Sequence, residues 1–177
     1  DTVGSTNDVL REQKGQVGLH GAAVIADQQT AGRGRRGRRW CSPAGANLYC
    51  SIGWRFAGSP EMLTGLSLAV GAMVAEQITT HFGADLQLKW PDDLYYNEQK
   101  LGGILVEVWG DVADMQSVVI GIGLNVNMPE EQGASIERPW TDLRSVVGAE
   151  VDRHALAGAV LSGFADGLPR FADKGFA

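Results

Sequence analysis

Lys100-Leu101-Gly102-Gly103-Ile104-Leu105-Val106-Glu107-Val108-Trp109 reads as a β-strand, and the segments on either side decide how it pairs. Leu86 to Trp90 is a strand stopped by Pro91, with Asp92-Asp93 at the turn, Leu94-Tyr95-Tyr96 after it and a second turn at Asn97-Glu98. Gln116 to Asn127 follows a loop at residues 110–114. Connections this short carry no crossover, so the run predicts antiparallel pairing. Glycine weakens a strand interior unless something must approach the backbone. Gly102-Gly103 and Gly121-Ile122-Gly123 therefore mark a bare region, toward which the strands also present Lys89 and Lys100.

Upstream, Gly32-Arg33-Gly34-Arg35-Arg36-Gly37-Arg38-Arg39-Trp40 places five arginines within seven residues, in a chain of formal net charge −6. Glycines between arginines let the backbone take φ > 0 and turn its N–H groups into one concavity. Guanidinium groups around it suit phosphate and carboxylate oxygens, which they grip with two hydrogen bonds at once. A nucleic-acid tether or a flexible polar loop is also open on this run alone. A tether predicts low complexity and a wider basic field; here Trp40, Cys41 and an ordered strand follow at once, and most of the chain is acidic.

With 44% hydrophobic and 20% charged residues over 177 positions, the composition suits one globular domain with a real core. Charges interrupt the apolar stretches short of the roughly 18 residues of a membrane span, so no membrane partner is expected. Asp1-Thr2-Val3-Gly4 does not read as a signal peptide. Cys41 and Cys50 have no metal-ligand spacing and make no disulfide framework, which fits a reducing cytoplasm. His20, His81 and His154 are scattered, without the partners of a catalytic triad.

Ser5-Thr6-Asn7-Asp8 starts a helix running to about residue 14; its hydroxyls cap, and with Asn7 they are also candidates to face a polar ligand. Residues 21–26 form a short buried strand. From Leu48 to Phe56 the alternation puts Leu48, Cys50, Ile52, Trp54 and Phe56 on one face of a half-buried strand. Ser59-Pro60-Glu61 opens a scaffold helix, with Leu63, Leu66, Val70, Val74 and Ile78 at helical spacing to about His81. Pro129 to Pro139 reads as a surface loop, and structure restarts near Trp140. Asp152 caps a last helix with an apolar stripe at Leu156, Val160, Leu161, Phe164 and Leu168.

Five blocks, in order and spanning most of the chain, resemble the biotin protein ligases, in particular the catalytic domain of the bacterial enzymes. They are Ser5-Thr6-Asn7, Gln29 through Trp40, Lys89-Trp90-Pro91-Asp92-Asp93-Leu94, Lys100 through Glu107, and Gly121-Ile122-Gly123-Leu124-Asn125-Val126-Asn127. The resemblance implies an α+β fold: a mixed, largely antiparallel sheet flanked by helices, related to lipoate ligases and more remotely to class II aminoacyl-tRNA synthetase cores. It makes residues 1–177 one catalytic domain. The N-terminal helix-turn-helix domain of bifunctional members and the small C-terminal β-barrel of many members are not expected in this chain, nor is nucleic-acid binding.

The activity implied is adenylate formation from biotin and MgATP, then transfer of the biotinyl group to a lysine of a biotin carboxyl carrier protein. By the family match Lys100, Arg35 and Asp93 are catalytic. Ser5, Thr6, Asn7, Gln29, Gly32, Arg33, Gly34, Arg35, Lys100, Gly103, Gly121 and Gly123 bind biotin, and Arg35, Arg38, Trp40, Lys89, Lys100 and Asn125 bind ATP. Mg²⁺ accompanies ATP near Asp92 or Asn125. Homodimerisation through a sheet edge or the arginine loop is a further implication. The family usually carries Asn at the position of Asp92, and a carboxylate only accepts where an amide also donates. A lipoate or octanoate ligase of the same fold, or a non-catalytic biotin-binding module, is the alternative.

Overall fold

The computed structural model describes residues 1–12, 17–111 and 114–176. Its frame is a six-stranded antiparallel sheet built from β2 (Ala23–Ala26), β4 (Leu48–Ala57), β5 (Gln87–Lys89), β6 (Asp93–Tyr96), β7 (Gln99–Asp111) and β8 (Met115–Leu124), in the order β2-β4-β8-β7-β6-β5. The short connections between consecutive strands give the antiparallel pairing expected of them. The parallel component is a separate pair, β1 (Thr2–Val3) with β3 (Gln28–Gln29). The fold is α+β with a largely antiparallel sheet, as the resemblance implies.

The sheet separates core from site. Register places Leu48, Cys50, Ile52 and Trp54 of β4 beside Leu124, Ile122, Ile120 and Val118 of β8, and Ile122 beside Ile104 of β7. Helices α2 (Leu66–Phe82) and α5 (Arg153–Lys174) cover that face and complete the main core with Val70, Val74, Ile78, Leu156, Val160, Phe164 and Leu168. On the opposite face Tyr49, Ser51, Val119, Gly121, Gly123, Gly103, Leu105 and Glu107 fall in register. Part of this face is covered by α1 (Thr6–Glu12), whose Leu10 joins Leu19 and Val119 in a small second core.

Several local expectations change. The strand at residues 23–26 is an edge, bonded only to β4, so Ile25 is exposed rather than buried. β4 is buried on both faces for most of its length because α1 covers the side predicted to be polar. The helix expected from Pro60 divides: residues 60–63 form a 3₁₀ turn, Gly65 turns the chain at φ 81, and α2 begins at Leu66. Residues 60–82 do contain a stretch long and apolar enough to cross a bilayer, mean hydropathy 1.3, against the expectation of none; Leu66, Val70, Val74 and Ile78 of that stretch face the domain core. Within the expected loop 129–139 lies a helical turn, α3 (Glu130–Gly133), whose buried Gly133 sits against the ring of Trp140. Asp142 caps α4 (Leu143–Val147) and Asp152 caps α5. The predicted end of the first helix falls outside the described residues.

Phe164 is fully buried. Phe164→Ala is expected to cost about 3–5 kcal/mol in urea unfolding. Burial also pushes the Cys50 thiol up to about 12, whereas Cys41 is partly exposed. In the native protein at pH 8 a disulfide reagent should titrate Cys41 alone, with Cys50 reacting only after denaturation.

Candidate functional site

The arginine run folds as a small hairpin. Arg33 bridges Arg39, Gly34 N–H donates to Arg38 O at 2.7 Å and Trp40 N–H to Gly32 O at 2.9 Å. Positive φ appears at the tip, at Arg36 (57°) and Gly37 (70°), whereas Gly34, where it was also expected, is extended at −107°. Gly32 lies behind the cavity wall rather than in it: a Cβ there would stand 2.7 Å from Ser42 Oγ and 2.9 Å from Gln29 Nε2, so its bareness lets those side chains meet. Arg33 closes the hairpin base through a bidentate pair with Asp8, and Glu107 lies 3.6 Å from its guanidinium.

Between this hairpin and the open face of the sheet lies a cavity of about 1140 Å³. A single small-molecule site usually takes roughly 300–1,000 Å³, so there is room for two ligands. Its lining brings together Ser5, Thr6, Asn7, Gln29, Arg33, Gly34, Arg35, Arg38, Trp40, Asp92, Asp93, Lys100, Gly103, Gly121, Gly123 and Asn125. Side chains from α1 and the hairpin approach the bare strip of the sheet. A Cβ on Gly121 would fall 2.2 Å from Asn7 Oδ1, and one on Gly123 would fall 2.6 Å from the Trp40 indole.

One end of the cavity is neutral and polar. Gln29 Oε1 accepts from Thr6 N–H (2.9 Å) and Gln29 Nε2 donates to Ser42 Oγ (3.2 Å). Ser51 Oγ lies 2.7 Å from Thr6 Oγ1 and 2.6 Å from Asn7 Oδ1, while Asn7 Nδ2 donates to Glu107 at 2.7 Å. Buried groups bonded this way are fixed in orientation.

The other end is charged. Lys100 Nζ donates to Asp93 Oδ1 at 2.5 Å, and Arg35 Nε lies 3.1 Å from Asp92 Oδ2. Burial raises the Asp92 carboxyl, opposed by Arg35 and Lys100 and reinforced by Asp93. Arg36, Arg38, Arg39 and Arg138 also line this end, and among the described residues no carboxylate pairs with them. Asn125 is buried, with Nδ2 donating to Thr141 O at 3.1 Å. Lys89 is the exception: it lies outside the cavity, its ammonium 4.7 Å from the Tyr95 ring centroid on the short outer strand β5.

Lys100 reaches the site because of a β-bulge. Across β6 and β7, Asp93 pairs with Gly103 and Leu94 with Gly102, but Tyr95 pairs with Lys100, so Leu101 is skipped. Regular alternation from Gly103 would send Leu101 to the site and Lys100 to the core; the bulge exchanges them, and Leu101 is fully buried. The Lys100 backbone is held separately, its N–H donating to Pro139 O and its carbonyl accepting from Thr141 N–H, both at 3.0 Å.

Sequence reasoning missed Ser51, Ser42, Asp8, Glu107 and Arg138. The alternation of its strand places Ser51 on the face opposite the apolar one, and Arg138 falls within the surface loop expected at residues 129–139. Asp8 and Glu107 are far apart in sequence and converge only once α1 lies on the sheet.

The family model described as the biotin/lipoate A/B protein ligase family matches residues 2–125. The chain belongs to this family. It is 41% identical over 176 residues to the bifunctional ligase/repressor BirA of Escherichia coli, covering 99% of this chain and 54% of that protein. To the biotin–[acetyl-CoA-carboxylase] ligase of Mycobacterium tuberculosis it is 37% identical, covering 89% and 58%. The chain thus spans about half the length of these curated relatives. The biotin protein ligase from Aquifex aeolicus in complex with biotin and ATP superposes at a TM-score of 0.80 with 34% identity, covering 98% of this chain and 70% of that one. The Leishmania major enzyme in complex with biotinyl-5-AMP gives 0.78 with 30% identity, covering 93% and 71%.

Hydrogen bonding from Arg33 is the largest influence on Asp8 and holds its carboxyl below the ordinary value, with Arg33 charge and Arg11 adding to the effect against burial. A depressed folded-state pKa stabilises the protein above the ordinary carboxylate range and loses that contribution as pH falls through the depressed value. An NMR titration should give an Asp8 midpoint below the usual roughly 3.9, and Arg33→Ala should return it upward.

Proposed function

We propose that this chain is the catalytic part of an ATP-dependent ligase that activates biotin as biotinyl-5′-AMP and transfers the biotinyl group to a lysine of a biotin carboxyl carrier protein. The observation that carries this reading is the two-ended cavity, with a fixed neutral hydrogen-bonding cluster at one end and Lys100 and Arg35 among unpaired arginines at the other. A ureido ring offers two N–H donors and a carbonyl acceptor, which Thr6, Asn7, Gln29 and Ser51 are chemically suited to meet. The dithiolane of lipoate offers neither, so a site built to hydrogen-bond discriminates against it.

Adenylation joins a biotin carboxylate oxygen to the α-phosphorus of ATP as the bond to the β-phosphate oxygen breaks and pyrophosphate leaves. The carboxylate is already ionised at neutral pH, so no general base is required. Repulsion between the two anions is the obstacle, and fixed cations with positioning are the remedy. Lys100 and Arg35 stand where those anions would meet, Arg38 and Arg138 offer charge to the phosphates, and Trp40 offers a face to adenine. Gly103, Gly121 and Gly123 keep the floor low enough for the biotin ring and chain.

In the transfer step the carrier lysine amine attacks the biotinyl carbonyl, the amide forms, AMP leaves and the amine proton is lost. Asp93 is the carboxylate nearest this chemistry, and its contact with Lys100 supports a role in orienting that ammonium. Mg²⁺ enters with ATP. Among the described residues no group of three His, Cys, Asp or Glu suits a metal by itself, which fits an ion held mainly by phosphate oxygens with one or two protein oxygens. Asn125 and Asp92 are the candidates at the wall. We place the enzyme in the cytoplasm with its carrier. The β6 side of β7 beyond Ile104, which among the described residues carries no ladder partner, is the edge where a second copy would add strands; gel filtration with biotin and ATP tests that dimer.

Biotin-dependent ATP–pyrophosphate exchange tests the activity. Wild type should exchange with biotin and not with lipoate, and Lys100→Ala should lower kcat/KM by roughly 10²–10³. Exchange driven by lipoate would move the assignment to the alternative ligase; exchange with neither acid, despite biotin binding, would leave a binding module.

A further inference from the structure

The arginine hairpin is tied to the domain unequally. Its base is held by Arg33, through Asp8 and Glu107, and by the return of Trp40 to Gly32. Its tip reaches the domain through one polar side-chain contact among the described residues, Arg35 Nε to Asp92 Oδ2 at 3.1 Å. Among the described residues Arg36, Arg38 and Arg39 have no such partner, although they line the same cavity. The Asp92 end is rigid: its side chain is 10% exposed, and its carbonyl accepts from Ile104 N–H at 2.9 Å, fixing the β5–β6 turn to β7.

We propose that Asp92 is a positioning residue, whose carboxylate latches the hairpin tip through Arg35 before any ligand arrives and presents the guanidinium to the cavity. Nε makes the closest approach, and among the described residues neither terminal nitrogen of Arg35 makes a hydrogen bond. A guanidinium carries five N–H donors, so both terminal nitrogens stay available to an anionic ligand while the latch is closed. Without the latch, the ordering of the tip would be charged against ligand binding, because only the fraction of molecules with the tip in place binds productively. Asp92 also gains, since a desolvated carboxylate beside Asp93 requires a nearby cation. The effect on ligand affinity rests on the adenylation reading above; the latch in the ligand-free protein does not.

The experiment is tryptic cleavage of ligand-free wild type, Asp92→Asn and Asp92→Ala, all at matched far-UV dichroism, with fragments assigned by mass. Cleavage after Arg35, Arg36, Arg38 or Arg39 reports opening of the tip. Asp92→Ala should be cut there about 3- to 10-fold faster than wild type. The isosteric Asp92→Asn should fall between, because it keeps the packing at the turn and the polar oxygen facing Arg35 but removes the charge. In ATP–pyrophosphate exchange, Asp92→Ala should raise the KM for ATP several-fold while kcat changes less. Equal cleavage in all three proteins would overturn the latch. So would a parallel rise in cleavage after Arg170 in α5, which would report general loosening. Tip-specific acceleration in a protein that catalyses no exchange would keep the latch and remove the ligase reading; normal exchange with unchanged cleavage would do the reverse.

Discussion

A single skipped residue in the β6–β7 ladder brings the Lys100 ammonium to the cavity face of the sheet. A strand alternates its side chains strictly, and Gly103, Leu105 and Glu107 commit the odd positions of β7 to the open face. Lys100 is an even position and would otherwise belong to the apolar face with Gly102 and Ile104. Skipping Leu101 resolves two conflicts together: a leucine that would have faced the cavity enters the core, and a lysine that would have been buried without a counter-ion reaches Asp93. Burying an isolated ammonium costs far more than one lost ladder bond, so the irregularity is the lower-energy way to accommodate this sequence.

The same economy governs the rest of the cavity. Cations held close together repel one another in the ligand-free protein. Alternating partners relieve this: Asp93 with Lys100, Asp92 with Arg35, Asp8 and Glu107 with Arg33. Among the described residues no carboxylate pairs with Arg36, Arg38, Arg39 or Arg138, which line the same cavity. Hydrogen bonding among uncharged groups is concentrated at the α1 end, where Ser51 meets Thr6 and Asn7 and Gln29 meets Thr6 and Ser42, while Asn7 also reaches the Glu107 carboxylate.

Much of this was legible in the residues because it is local. Short turns dictated antiparallel pairing, Asp152 announced the last helix, and glycines within strands marked a close approach. What stayed hidden depends on cross-strand or long-range geometry. Alternation alone cannot reveal a bulge, so the route by which Lys100 reaches the site was invisible. Ser51 looked solvent-facing because its cover, α1, comes from a segment more than forty residues earlier. Lys89 and Lys100 looked equivalent, but β5 is a three-residue outer strand and its lysine turns to Tyr95. Gly32 belonged with its glycine neighbours by eye, whereas its bareness serves the Gln29–Ser42 contact behind the wall.

Lys100 is gripped on its backbone by the two residues that flank Trp140, and the Trp140 ring rests on Gly133 in α3. The segment from Gln132 to Arg138 forms one wall of the cavity. That wall and the Lys100 ammonium are therefore mechanically one part. A displacement of that wall carries the Lys100 ammonium along, together with its contact to Asp93.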